Sequence, residues 1–398
     1  MNRRALFLLI LAAGSLARPA FAACPGVSTC ALSACPAGAT QVSSGKSIQK
    51  AINAAVNGTT ICVAPGTYTD PLNFLGRRIT LVSSGGPSMT ILDGAGGGPV
   101  VTFNHSEGAD SVLDGFTITN GQAVFGGGIA ITNASPTLRN LIVKNNMAVG
   151  DSYSRGGGVA VGGPAARPSI LCSQFLSNQA AYAGGGMVTY ASADPYLRND
   201  DFEFNTAPYG GAIAAYNSGR LDVGTTSFLS NRAEGDGGAI HAGVVYGNVL
   251  VRNCWLKGNS AGSNGGALWV PAGLAQVVNC TFDGNRALTG GAVAAGLGGM
   301  VDVAGTLFVN NHGAALVNTA PGSNTAVVNH YNGFFGNTGG DYLSTYGDLS
   351  PLLLDPQLST CCPAPGSPAI GAGIPDYLFN NAYNGLRNDM GACGGPSI

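Results

Sequence analysis

GGAIAAYNSGRLDVGTTSFLSNRAEGDGGAI, residues 210–240, contains one complete repeat and the start of the next. It opens on Gly210-Gly211 before the aliphatic Ile213. It passes through the alternating Leu221-Asp222-Val223, reaches Phe228 with Asn231 three positions later, and returns to Gly237-Gly238 before Ile240. Both markers recur along the chain. The aromatic-or-aliphatic to Asn marker is read at Ile142/Asn145, Phe175/Asn178, Phe202/Asn205, Phe228/Asn231, Leu256/Asn259, Phe282/Asn285, Phe308/Asn311 and Phe334/Asn337, with Asn spacings of 33, 27, 26, 28, 26, 26 and 26. The Gly-Gly marker precedes Ile129, Val159, Met187, Ile213, Ile240, Leu268 and Val293.

Two phased markers at such a period mean stacked supersecondary units. Gly, Asn, Thr and Val punctuate the repeats and the helix formers Glu, Lys, Gln and Met are sparse, which argues against helical repeats. Alternation with period two, as in Val301-Asp302-Val303, requires strands. The fold class expected is therefore all-β, a right-handed parallel β-helix with about 26 residues per coil and coils about 4.8 Å apart. Phe202, Phe228, Leu256, Phe282 and Phe308 then stack inside as one column. The Asn side chains form a ladder at a turn, and the Gly pairs supply positive φ or close backbone approach at another corner.

An open coil end invites edge pairing, so both ends need covers. Ser47–Ala55 reads as a short amphipathic helix, with Ser47 as N-cap and Ile48 and Ile52 on one face. Asn57-Gly58 turns it into a strand over Thr60–Val63. From about Leu352 the period stops and Pro and Cys rise, as in an irregular closing cap. The expected organisation is an export signal over 1–22, a Cys-containing segment over 23–46, the β-helix over 47–350 and the cap over 351–398.

The export signal is read from basic Arg3 and Arg4, the apolar run Ala5–Ala17, and Ala20-Phe21-Ala22 as cleavage pattern. A lipoprotein with Cys24 modified is the alternative. No later stretch offers the roughly 20 uninterrupted apolar residues of a spanning helix. Without Arg3, Arg4 and Arg18 the chain keeps 15 basic and 20 acidic residues, which argues against a nucleic-acid partner. Export leaves the ten cysteines free to oxidise. Cys24, Cys30 and Cys35 gather at one end and Cys361, Cys362 and Cys393 at the other, where disulfides would tie down the termini. The pairing itself is not readable. Cys254 and Cys280, 26 residues apart, should stack on adjacent coils, as a thiol ladder or a cross-coil bridge.

SIQKAINAAVNGTTICVAPGTYTD (47–70) resembles the entry segment of pectin-lyase-like β-helix proteins. The Gly-Gly-Ala-aliphatic and Phe-x-x-Asn markers resemble the repeats of polymorphic outer-membrane proteins. GSPAIGAG (366–373) and NGLRNDMGACGGP (384–396) are similar to the closing segment of bacterial exported β-helix proteins. The resemblance implies the fold and leaves the activity open, because the fold hosts many functions. Pectinolytic hydrolases of this fold carry Asn-Thr-Asp, Asp-Asp, Gly-His-Gly and Arg-Ile-Lys motifs, of which only Asp200-Asp201 finds an echo here.

If Phe202 points inward, Asp201 and Glu203 point outward, about 7 Å apart. They are the candidate catalytic acid and base of a glycoside hydrolase or polysaccharide lyase. No cofactor is expected unless Asp200 and Asp201 hold calcium. Trp255 lies on the same outward row. A second row follows the Gly-Gly marker and carries Tyr190, Tyr216, His241 and Trp269, candidates for stacking on sugar rings. The insertion between Asn145 and Asn178, with Asp151, Tyr153 and Arg155, is expected to overhang the groove beside Asp201. His105, His312 and His330 are isolated and read as turn or surface residues. The functional expectation is a monomeric exported protein, secreted, periplasmic or at the cell surface, serving glycan binding, adhesion or envelope structure, with a polysaccharide or envelope glycan as partner. A polysaccharide lyase or hydrolase is the alternative, and a module of a larger assembly the third reading.

Overall fold

The computed structural model describes residues 30–321, 326–345, 351–359, 361–374 and 389–393. The export signal over 1–22, Cys24 and part of the closing segment lie outside the described residues. The described chain is a parallel β-helix. One strand from each of eleven coils, from Gly66–Tyr68 to Gly333–Phe335, builds an 11-stranded sheet. A 21-stranded sheet takes two further strands from most coils, and a 6-stranded sheet of two-residue strands closes the section. In the coil quoted above these strands are Ile213–Tyr216, Arg220–Gly224, Ser227–Leu229 and Arg232–Ala233.

The interior follows the period-two pattern. Ile213, Ala215, Leu221, Val223 and Phe228 are fully buried. Phe202, Phe228, Leu256, Phe282 and Phe308 occupy one register position. Phe175 and Phe202 stack with centroids 4.3 Å apart and planes within 3°, and Phe202 and Phe228 at 5.2 Å. The strand spacing imposes this near-parallel stack.

The Asn ladder runs unbroken from Asn146 to Asn337. Each Nδ2 donates to the next Asn Oδ1, at 3.0 Å in all seven links. Each Oδ1 also accepts the backbone N–H of the preceding Asn, as in Asn205 to Asn231. The first rung differs from the reading Ile142/Asn145: Val143 pairs with Phe175 and Asn146 carries the ladder. Asn145 is the preceding left-handed residue, φ 55°, equivalent to Ser177 and Ser230 at φ 54°. Both positions favour Asn, so a tandem Asn pair is ambiguous in sequence.

A second column lies at the corner before the Phe strands. Leu141 N–H donates to Ser173 Oγ at 3.2 Å and Ser173 N–H to Asp200 Oδ1 at 2.7 Å. Cys280 N–H donates to Thr306 Oγ1, and Thr306 N–H to Asn332 Oδ1. Cys254 and Cys280 belong to this column as buried free thiols. At the Gly corner Gly210 has φ +62°, and a side chain on Gly211 would strike the backbone of Gly238 and Arg232.

The helix Ile48–Ala54 covers the first coils, with Ile48 and Ile52 buried and Ser47 Oγ accepting the Lys50 N–H. Both terminal segments also run along the side of the solenoid as straps. The N-terminal strap is tied by Cys30–Cys172 and Cys35–Cys62, and Ser33 N–H donates to Asp114 at 2.7 Å. The closing segment begins by pairing Leu352 with Gly333 on the last coil, and its described residues within 361–393 lie against the outer face of the 11-stranded sheet. Ala392 N–H donates to Thr281 Oγ1 at 2.9 Å, and Thr281 in turn donates to the Cys361 carbonyl. Cys362–Cys393 closes this strap. No helix among the described residues is long and apolar enough to cross a membrane.

Candidate functional site: an aromatic platform around Arg155

The strands Met187–Tyr190 and Ile213–Tyr216 place Tyr190 beside Tyr216, with Gly162 and Gly243 at the same position on the flanking coils. Beneath them Ala160, Val188 and Ala214 form a small-residue floor. A side chain at Gly162 would collide with the Tyr190 ring, which leans over that coil. His241 follows one coil on, at the register of Ala214, with its ring 5.1 Å from Tyr216 and 5.6 Å from Tyr209. Three of the expected residues, Tyr190, Tyr216 and His241, are thus brought together.

The residue before the first Gly of each marker forms a neighbouring column, with Phe125, Arg155, Ala183 and Tyr209 bridged in succession. Arg155 sits between rings, its guanidinium carbon 4.8 Å from the Tyr182 centroid and 5.1 Å from Tyr216. Phe125 packs on Tyr190 at 5.5 Å, and Tyr182 on Tyr209 at 5.4 Å. The insertion delivers Arg155 to this cluster, not to Asp201 as expected. Its Asp151 carboxylate accepts Tyr153 N–H at 2.8 Å and the Ser154 hydroxyl at 3.1 Å. Tyr153, 61% exposed, is set 6.0 Å from Tyr182. Sequence reading left Tyr182, Tyr209 and Phe125 aside, although Phe125 and Tyr209 hold one fixed offset from the Gly marker.

Burial raises the Tyr190 and Tyr216 phenols, against an opposing pull from the Arg155 charge. Burial lowers His241 to about 4, with Asp236 pulling the other way. At neutral pH the platform therefore presents neutral rings around one cation. Arg155 Nε is buried without a hydrogen-bond partner among the described residues.

The two tryptophans stand elsewhere. Trp255 does face outward, but it is 6% exposed because Cys361 and Ala392 of the C-terminal strap cover it with Leu229. Trp269 pairs with His241 in register yet is buried against Ala294, Ala314 and Val317. Neither is an open stacking surface, which corrects their place in the aromatic rows.

Asp201 and Glu203 flank the buried Phe202 and are half-buried on the outer face. Asp201 accepts hydrogen bonds from Ser227 and Gln174, and burial raises its carboxyl. Asp200 is 1% exposed in the interior corner column, where burial lifts its carboxyl well above the usual range. The two carboxylates named together for calcium thus lie on opposite sides of the strand. Among the described residues, the one grouping of three metal-type side chains is Cys361, Cys362 and Cys393, where the Cys362–Cys393 disulfide occupies two of the sulfurs.

Solenoid and platform together define a parallel β-helix protein with an aromatic outer face. No family model matches the chain. Over 174 residues, 41% of this chain, it is 32% identical to "Probable outer membrane protein PmpG" of Chlamydia muridarum (strain MoPn / Nigg), and spans only 17% of that protein's length. Among solved structures, a catalytic domain of GH87 alpha-1,3-glucanase in complex with tetrasaccharides aligns with TM-score 0.44 and 11% identity, covering 82% of this chain and 70% of that one. The catalytic unit of a thermostable GH87 alpha-1,3-glucanase from Streptomyces thermodiastaticus strain HF3-3 aligns at 0.41 and 14%, covering 82% and 72%.

Proposed function

We propose that this is an exported, surface or extracellular β-helix protein that binds a glycan chain along the Phe125–His241 platform. The observation that carries the reading is the Arg155 guanidinium held between the half-buried rings of Tyr182 and Tyr216. Such rings offer apolar faces to sugar C–H groups, and the guanidinium offers donors to ring hydroxyls or acids. The platform crosses five coils, about 20 Å at the coil spacing, so an oligosaccharide fits it better than a single sugar. Three disulfides support an oxidising compartment, and the similarity to an outer membrane protein over 174 residues agrees.

The test is calorimetric titration with a panel of pectate, alginate, glycosaminoglycans and neutral polymers. Tyr182→Ala and Tyr190→Ala should each weaken the best ligand at least about tenfold, the scale of one lost stacking contact. The pair Asp201→Ala/Glu203→Ala should leave binding intact. Shortening of a polymer that disappears in that pair would replace binding with a lyase or hydrolase at the carboxylate row.

A further inference from the structure

A second polar feature sits at a different corner, where the 21-stranded sheet turns into the 11-stranded one. Arg198, Gly224 and Arg252 are successive rungs of one outward column. The middle rung has no side chain, which leaves a notch lined by Arg198, Gly224, Thr225, Arg252 and Asn253. A Cβ at Gly224 would stand 2.9 Å from Arg198 Nε and 3.1 Å from its guanidinium carbon. Arg198 therefore lies across the space a side chain would fill.

The charges here do not balance. Asp222 receives Arg198 Nη2 at 2.8 Å, Arg220 Nη2 at 2.8 Å and Arg252 Nη2 at 3.2 Å. One carboxylate thus serves three guanidiniums, in a chain whose formal net charge is −2. Nearby Asp194 pairs with Arg167 at 3.3 Å and also accepts the Arg220 backbone N–H. Asp200 lies buried behind the corner, where it accepts the Ser173 N–H and burial lifts its carboxyl well above the usual carboxylate range. Arg198 is 6% exposed and fixed by the Tyr196 ring, 3.9 Å from its guanidinium carbon. Its geometry is set before any ligand arrives, which lowers the entropy cost of binding.

The notch sits on a corner column that both straps touch. The left-handed corner column runs Asn140, Cys172, Asn199, Thr225, Asn253, Asn279 and Gly305. The N-terminal strap sits on its first members, through Asn140 Nδ2 to the Ala31 carbonyl and Cys172 to Cys30. The C-terminal strap reaches its last, where Gly391 N–H donates to the Gly305 carbonyl at 2.9 Å.

We propose that the Arg198–Arg252 notch binds a single oxyanion group, a carboxylate, sulfate or phosphate. Guanidinium is suited to that chemistry because its planar fork matches two oxygens. The site stands apart from the aromatic platform and does not depend on what the platform binds.

Calorimetry in a non-coordinating buffer at low ionic strength tests this with inorganic sulfate, inorganic phosphate, free glucuronate, and glucose as neutral control. The full mature chain should bind at least one of the three anions and not glucose. Gly224→Ala, which fills the notch, and Arg252→Gln, which removes one wall, should each weaken that binding at least tenfold. Lys257→Gln, a cation paired with Asp283 outside the notch, should leave it unchanged. Asp222 keeps Arg198 and Arg220 in Arg252→Gln, so that variant reads the site even where Gly224→Ala fails to fold. Glucuronate binding well above both inorganic ions would name a sugar acid as the ligand; equal binding would name a bare oxyanion. No binding of any anion, equal binding of glucose, or anion binding that survives both notch variants would overturn the proposal.

Discussion

His241 sits in the aromatic platform with its ring edge against Tyr209 and its face inclined to Tyr216. Its Nδ1 is buried and lacks a hydrogen-bond partner among the described residues, so protonation inside the fold is unfavourable. Burial holds its pKa at about 4, below the 6.5 of an exposed imidazole. The unfolded chain therefore binds more protons between those values. The stability this residue contributes is complete above pH 6.5 and is lost as pH falls to 4, a change of about 3 kcal/mol. Urea titrations of the native chain and His241→Gln from pH 7.5 to 4.5 should converge as the pH drops. Parallel curves would show that His241 charges freely in the folded protein.

At the scale of the element, the Asn ladder is the continuous polar spine of the helix. Asn231 illustrates its role: Nδ2 donates to the Phe202 carbonyl and to Asn259, while Oδ1 accepts from Asn205 N and Asn205 Nδ2. Asn231→Ala strands the buried Asn205 N–H and breaks two links, at an expected cost of about 3 kcal/mol. Asn337→Ala, with one Asn neighbour, should cost less in the same urea measurement; equal losses would mean the ladder rungs act independently. This spine was legible in sequence because a β-helix repeats its interior at one register, so Phe and Asn columns appear as a period. The slip at Asn145/Asn146 shows the limit, since the left-handed position and the ladder position accept the same residue type. The platform was half legible for the same reason: Tyr190 and Tyr216 share one offset from the Gly marker, while Phe125, Arg155, Ala183 and Tyr209 share another whose mixed residue types do not read as one row.

On the scale of the whole molecule, the two straps decide which outward rows are open, and they carry no repeat to announce their path. Trp255 has the outward register the sequence implied, yet contacts with Cys361 and Ala392, more than a hundred residues on, bury it. The C-terminal strap is held by Cys362–Cys393, by hydrogen bonds at Thr281 and Gly305, and by Ala369 and Met390 packed on Leu307 and Val309. The contacts described are confined to one outer face, whereas each coil is bonded to its neighbours along whole strands. The strap should therefore detach without the solenoid unfolding, as a sub-global opening. The chain has only two tryptophans, so a Trp269→Phe background isolates the Trp255 signal. In that background, Cys362→Ser/Cys393→Ser should raise acrylamide quenching and red-shift the emission, with the far-ultraviolet β spectrum unchanged. If quenching stays at its low value, apolar packing on Trp255 alone keeps the strap in place. If the β spectrum collapses with it, strap and solenoid form one cooperative unit, and the outer face of the 11-stranded sheet is part of the protein's core.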